Sequence, residues 1–235
     1  MRRLVLLLAL IAGWGTLTFP GAVCEARLVA SGPTSCSGVA LTFDLCPVRD
    51  PPGFDAGLVA LLESTRTPAT FFLSGRWLLR HENEALALSR VPFFELGSHG
   101  FAHAHLPDLD KRGQREEIER AVTLLRTRLG VAARFFRPPY GEYDAQTEHV
   151  LETLGLRGLT YSTVSGDPDP DLTTQQILDR VARRLRPGSI VIFHANGKGR
   201  HTREVLQFLL ERLLPEKGLH PMTVTELLEC RATKK

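Results

Sequence analysis

Four apolar, strand-like runs in this chain each lead into a residue able to move a proton, carry charge or hold a metal. Val39-Ala40-Leu41-Thr42-Phe43 ends in Asp44, and Phe93-Phe94-Glu95-Leu96-Gly97-Ser98 ends in His99, with His103 four residues on. Arg134-Phe135-Phe136 leads into Arg137-Pro138-Pro139-Tyr140, and Ser189-Ile190-Val191-Ile192-Phe193 into His194. In α/β barrels the C-terminal ends of the strands converge on one face, where the chemistry sits. An acid, two histidines, an arginine and a further histidine gathered there read as a hydrolase centre. Histidines four apart on a helical turn project side by side, a spacing that lets two imidazoles share one metal.

The elements that must position these groups alternate along the chain. Strands are expected at 39–44, 69–73, 93–98, 134–137, 157–161, 189–193 and 222–224. Helices are expected at 56–65, 76–90 (broken), 111–129, 144–154, 174–185, 202–213 and 225–230. Asp55 is placed as an N-cap, and Asp144 or Thr147 starts another amphipathic run. Strands separated by helices predict an α/β fold with a parallel sheet. About seven such units predict a single-domain, distorted (β/α) barrel, with an open doubly wound sheet as the runner-up. Gly166-Asp167-Pro168-Asp169-Pro170-Asp171 reads as a turn-rich loop within this domain.

The 235 residues are 43% hydrophobic and 23% charged with a net charge of +3, ordinary values for a globular chain. No basic, aromatic-interleaved stripe is present, so a nucleic-acid partner is not expected. Arg2-Arg3, an apolar run from Leu4 to Ala12 and small residues before Arg27 form a secretory signal pattern. The expected division is a signal peptide over 1–26, a lead over 27–38 and the barrel domain over 39–230. Two rivals are a lipoprotein role for Cys24 and an uncleaved anchor, although the apolar core falls short of the ~20 residues a span needs. No stable membrane span is expected after cleavage, and the product is expected in the periplasm or outside the cell. Export implies an oxidising compartment, in which Cys36, Cys46 and Cys230 remain. Cys36 and Cys230 should both lie at the bottom of the barrel, either bridged or as two free thiols.

The ordered motifs resemble those of the polysaccharide deacetylases of carbohydrate esterase family four, which share the chitooligosaccharide deacetylase domain. Thr42-Phe43-Asp44 is similar to the first motif, Ser98-His99 to His103 to the second and Arg137-Pro138-Pro139-Tyr140-Gly141 to the third. Gly166-Asp167 resembles a weaker fourth and Ile192-Phe193-His194 the fifth, so the likeness runs from about residue 38 to 228. It implies a distorted barrel and a role for each group. His99 and His103 would hold a divalent metal, with zinc as the expected ion, and Asp44 would be the general base. Arg137 would keep Asp44 ionised, and the Tyr140 backbone N–H would stabilise the oxyanion. His194 would protonate the leaving amine, with Asp167 raising its basicity or steadying Arg137.

One position departs from the family. Its first motif has two successive aspartates, the second a metal ligand, and here that position is Leu45, followed by Cys46 in place of a glycine. Water, Asp44 itself, Cys46, Asp50 or Asp55 could fill the gap. Cys46 is expected to point sideways, and Asp55 to serve as the cap. The function implied is removal of N-acetyl groups from an acetylated glycan such as peptidoglycan, a chitin-like oligosaccharide or an exopolysaccharide. The alternatives are a non-catalytic glycan-binding protein, an O-acetyl esterase or another C–N bond hydrolase. Nothing in the sequence sets the oligomeric state. His105, His149, His201 and His220 carry no motif and are expected at the surface or as caps, while Lys198, Arg200 and His201 stand in the loop after His194.

Overall fold

A computed structural model describes residues 28–49 and 53–230. The segment read as a signal peptide, with Cys24, and Asp50 lie outside the described residues. The strands are β1 (Gly38–Leu45), β2 (Ala69–Leu73), β3 (Phe94–Ser98), β4 (Phe135–Phe136), β5 (Arg157–Gly158), β6 (Thr163–Val164), β7 (Ile190–His194) and β8 (His220–Met222). The helices are α1 (Ala56–Ser64), α2 (Gly75–Arg80), α3 (Glu82–Arg90), α4 (Lys111–Leu129), α5 (Ala145–Thr153), α6 (Thr174–Arg184), α7 (Thr202–Phe208), α8 (Leu214–Glu216) and α9 (Val224–Glu229). Local chemistry sets their starts. Asp55 accepts the Leu58 N–H at 2.9 Å and Asp110 the Gly113 N–H at 2.8 Å. Reciprocal capping boxes pair Asp144 with Thr147, Thr173 with Gln176 and Thr223 with Glu226. Gly130, left-handed at φ 69°, ends α4.

The strands form one parallel sheet in the order β5-β4-β3-β2-β1-β7-β6, with β8 on the first residues of β1. No ladder joins β5 to β6 among the described residues, so the sheet is a curled half-barrel, the distorted (β/α) barrel expected from the sequence. Four elements differ from expectation, the first being β5, which ends at Gly158 instead of running to 161. β6 was not foreseen, having two residues and no apolar run. The last strand ends at Met222 because Thr223 turns to cap α9. The single helix expected over 202–213 opens into a π turn at Leu209–Leu213 just before Pro215, whose ring nitrogen removes a backbone donor.

β1 divides the interior by alternation. Val39, Leu41, Phe43 and Leu45 pack outward under the helices, where Phe43 stacks between Phe71 and Phe193 at 5.2 and 5.8 Å. Burying a side chain of that size contributes about 1.5–3 kcal/mol. Ala40 points inward and joins Phe72, Phe135, Leu159, Ile190, Val224 and Leu227, so α9 plugs the lower barrel. Below the plug, Glu95 accepts from Thr70, from the Thr225 N–H and from the Thr225 hydroxyl. The Cys36–Cys230 disulfide ties α9 to the start of β1, with Cα atoms 6.1 Å apart.

That bond closes a loop of 194 residues, so it constrains the unfolded chain strongly. Replacing both cysteines by serine is expected to lower stability by about 2–5 kcal/mol. Urea unfolding checks this, and an unchanged midpoint would assign the anchoring of α9 to the Glu95 network alone.

Candidate active site

The inward residues of β1 above Ala40 are polar. The Thr42 hydroxyl donates to the Val191 carbonyl at 2.7 Å and accepts from an Arg137 guanidinium nitrogen at 2.8 Å. A second guanidinium nitrogen donates to Asp44 Oδ1 at 2.8 Å, and both partners of this ion pair are almost fully buried. The Arg137 guanidinium also lies 4.1 Å over the Phe72 ring. Burial alone would raise the Asp44 carboxyl. The positive Arg137 outweighs it and holds the group below its ordinary value. Asp44 is therefore an anion with one oxygen committed to Arg137.

Its other oxygen faces His99, whose Nε2 lies 3.5 Å from Asp44 Oδ2. His99 Nδ1 sits 2.8 Å from the Arg137 backbone carbonyl, which can only accept, so Nδ1 carries the hydrogen and Nε2 presents its lone pair. His99 and His103 do not share a helical turn, contrary to expectation. They flank a loop that turns through left-handed Gly100 (φ 72°) and left-handed His103 (φ 62°). Glu117 of α4 holds that loop from behind, accepting the Ala102 and Ala104 N–H groups at 2.7 and 3.3 Å. A Cβ on Gly100 would come within 2.9 Å of the same carboxylate. The two rings still meet, edge to face with centroids 4.8 Å apart. Burial, reinforced by neighbouring His99, pushes His103 down to about 3, and burial likewise lowers His99. Both imidazoles are neutral, the form that ligates a metal.

Beside them the structure corrects the reading of Cys46. Its side chain does not point sideways. Its sulfur and one ring nitrogen each of His99 and His103 lie within 4.8 Å of one another. Leu45 is buried in the outer core instead, so its side chain leaves no gap among these groups. Asp55 caps α1, as expected.

The opposite wall belongs to His194, the register partner of Asp44 on the neighbouring strand. Asp167 accepts the His194 backbone N–H at 2.8 Å and approaches His194 Nδ1 at 2.9 Å. Ser165 and Thr202 hydroxyls donate to the same carboxylate at 2.9 and 2.7 Å. Of the two roles considered for Asp167, these contacts match support of His194 and none involves Arg137. Burial lowers the His194 pKa, but the hydrogen bond and charge of Asp167 overcome it, and the net direction is upward. Tyr140, left-handed at φ 60°, is half-exposed at the rim. Its ring stacks flat on His105 at 3.9 Å and meets His103 at 4.5 Å. His105 is thus at the surface, as expected, yet part of the rim. Lys198 also lines the cavity, which measures about 410 Å³. Glu117, Ser165 and Thr202 escaped the sequence reading because none of them ends an apolar run. Cys46 carried a usable signal, since it is two residues beyond Asp44 and hence on the same face.

A family model described as polysaccharide deacetylase matches residues 31–159. An uncharacterized protein of Streptomyces coelicolor is 36% identical over 153 residues, which are 65% of this chain and 57% of that protein. The chain therefore spans little more than half of that relative's length. The peptidoglycan-N-acetylglucosamine deacetylase of Bacillus cereus is 24% identical over 87% of this chain and 73% of its own. In fold, the chain is similar to a carbohydrate esterase family four pseudoenzyme of Bacillus anthracis. The TM-score is 0.78 at 22% identity, covering 87% of this chain and 70% of that one. With more than half of its length matched by the family model, the chain belongs to the polysaccharide deacetylase family.

Proposed function

We propose that this protein is an exported, metal-dependent hydrolase that removes N-acetyl groups from an N-acetylhexosamine glycan. The observation that carries the reading is the pairing, on adjacent strands, of an ionised Asp44 with a His194 of raised basicity. A base and an acid with separated proton affinities serve hydrolysis of a C–N bond, which needs one proton removed and another delivered. Two neutral imidazoles beside them fit a borderline-soft divalent ion such as zinc, held by His99 and His103. When bound, that ion supplies Lewis acidity toward water and the acetyl carbonyl.

The remaining steps belong to the side chains. Asp44 takes the proton of the attacking water while Arg137 keeps it ionised and aimed. The Tyr140 N–H donates to the developing oxyanion, a contact worth roughly 3–4 kcal/mol in comparable sites. His194 protonates the departing nitrogen, and Asp167 holds its ring through Nδ1. The printed activity of the Bacillus cereus relative supports peptidoglycan as the first glycan to try. The signal pattern at the N-terminus supports export, and no helix among the described residues is long and apolar enough to cross a membrane. A second reading, a glycan-binding protein without turnover, is favoured by the pseudoenzyme likeness and by Leu45. It requires sugar binding with no acetate released under any metal supplementation.

Acetate release from acetylated glycans separates the two. Asp44→Asn is expected to lower kcat by about 10²–10⁴-fold, the usual worth of a positioned acid or base. His99→Ala is expected to abolish metal retention along with activity. Undiminished release by both variants removes the assignment. The pH profile tests the acid separately. His194 acts in its protonated form, so activity falls as pH rises through its pKa, which Asp167 lifts above the ordinary 6.5. Asp167→Asn is expected to move the alkaline limb to lower pH, and an unmoved limb assigns the proton delivery elsewhere.

A further inference from the structure

We propose that Cys46 is the third protein ligand of the metal, completing a Cys-His-His site in which its thiolate takes the place of the family's second aspartate. The inference rests on the metal-dependent reading above and deepens it. β1 alternation carries it: Ala40, Thr42 and Asp44 face inward, and Cys46 continues that face one step beyond the strand end, whereas Leu45 faces the helices. The backbone here is pinned on both sides, so the Cα–Cβ bond is aimed inward while the sulfur remains free to rotate. The Ala195 N–H donates to the Asp44 carbonyl at 3.2 Å, and Ser74 donates to the Leu45 carbonyl through its N–H and hydroxyl at 3.2 and 3.0 Å. The Asn196 amide donates to the Cys46 carbonyl at 3.2 Å.

The sulfur stands within 4.8 Å of one ring nitrogen of each histidine. Zinc with Zn–S and Zn–N bonds of about 2.3 and 2.0–2.1 Å holds such atoms roughly 3.5 Å apart, a closure that side-chain rotation supplies. Among the described residues this is the one grouping of three such side chains. Cys46 is buried, stands outside the disulfide and lines the same cavity as His99 and His103. The assignment also leaves Asp44 free. With Oδ1 committed to Arg137 and the third ligand coming from position 46, the carboxylate need not coordinate and can act as base. A thiolate favours zinc over magnesium or manganese, so the site selects a softer ion than carboxylate ligation would.

X-ray absorption on the full chain loaded with one equivalent of Zn²⁺ tests this directly. A sulfur scatterer at about 2.3 Å is expected in the wild type and none in Cys46→Ser. Zinc affinity in that variant should fall by more than the about 10–100-fold that loss of a supporting partner costs. Cys46→Asp should recover affinity with only nitrogen and oxygen around the metal, which guards against a folding defect in the serine variant. In Co²⁺-loaded protein, the thiolate-to-cobalt charge-transfer band should be present in the wild type alone. Zinc held by nitrogen and oxygen only, with affinity unchanged in Cys46→Ser, overturns the role of Cys46 while leaving the deacetylase reading intact if acetate is released. Sulfur-ligated zinc without acetate release does the reverse. Failure of the wild type to retain zinc overturns both.

Discussion

The centre of this molecule is organised by one buried guanidinium. Arg137 donates to Asp44 and to Thr42 on β1, its carbonyl accepts from His99, and its N–H continues the ladder to Ser98. A single residue therefore fixes the protonation state of the proposed base and the tautomer and orientation of a proposed metal ligand. Such a pair is weak evidence for stability, because desolvating two ions costs several kcal/mol that their attraction only partly offsets. Its cost is understandable through position. Breaking the pair from one side would strand a charge in the barrel, a loss of about 3–5 kcal/mol.

The alternation of β1 explains how a member of this family can carry leucine where an aspartate is expected. Position 45 is spent on the outer core with Val39, Leu41 and Phe43, a face that has no contact with the cavity. The inward face is a graded column, apolar at Ala40, hydroxylic at Thr42, anionic at Asp44 and thiol at Cys46. Polarity rises from Ala40 to Asp44 toward the open end, while α9 and the disulfide close the other end.

Much of the fold was legible because hydrophobic period is a local property. The span of α4 and that of β2 match expectation residue for residue, since each has an uninterrupted pattern and, in α4, a cap at each end. Asp44, His99, Arg137 and His194 were placed by the same signal, a polar residue ending an apolar run. β6 and the π turn were not, because two residues set no period and a register shift inside a helix leaves the apolar stripe unchanged. The loop between the histidines was misread for a related reason. A spacing of four fits a helix, but Gly100 and a distant carboxylate on α4 decide otherwise, and no local pattern announces a partner 13 and 15 residues away. Cys46 was misread although period two was available, because the resemblance to the family's first motif drew attention to the missing aspartate rather than to the face.

That loop shows where the fold accepts unfavourable backbone geometry. Three non-glycine residues among those described take left-handed conformations, and two of them, His103 and Tyr140, touch each other in the site. Each costs about 1–2 kcal/mol, which the surroundings must offset. For His103 the offset is visible: Glu117 satisfies two loop N–H groups at once, and its buried carboxylate gains donors it would otherwise lack. For Tyr140 the ring is clamped between the edge-on His103 and a parallel, stacked His105, itself paired with Glu142 at 2.7 Å. The constraint turns the His103 imidazole toward His99 instead of letting it follow the loop outward. A relaxed backbone at residue 103 would separate the two rings, and with them the nitrogen donors proposed to hold a metal.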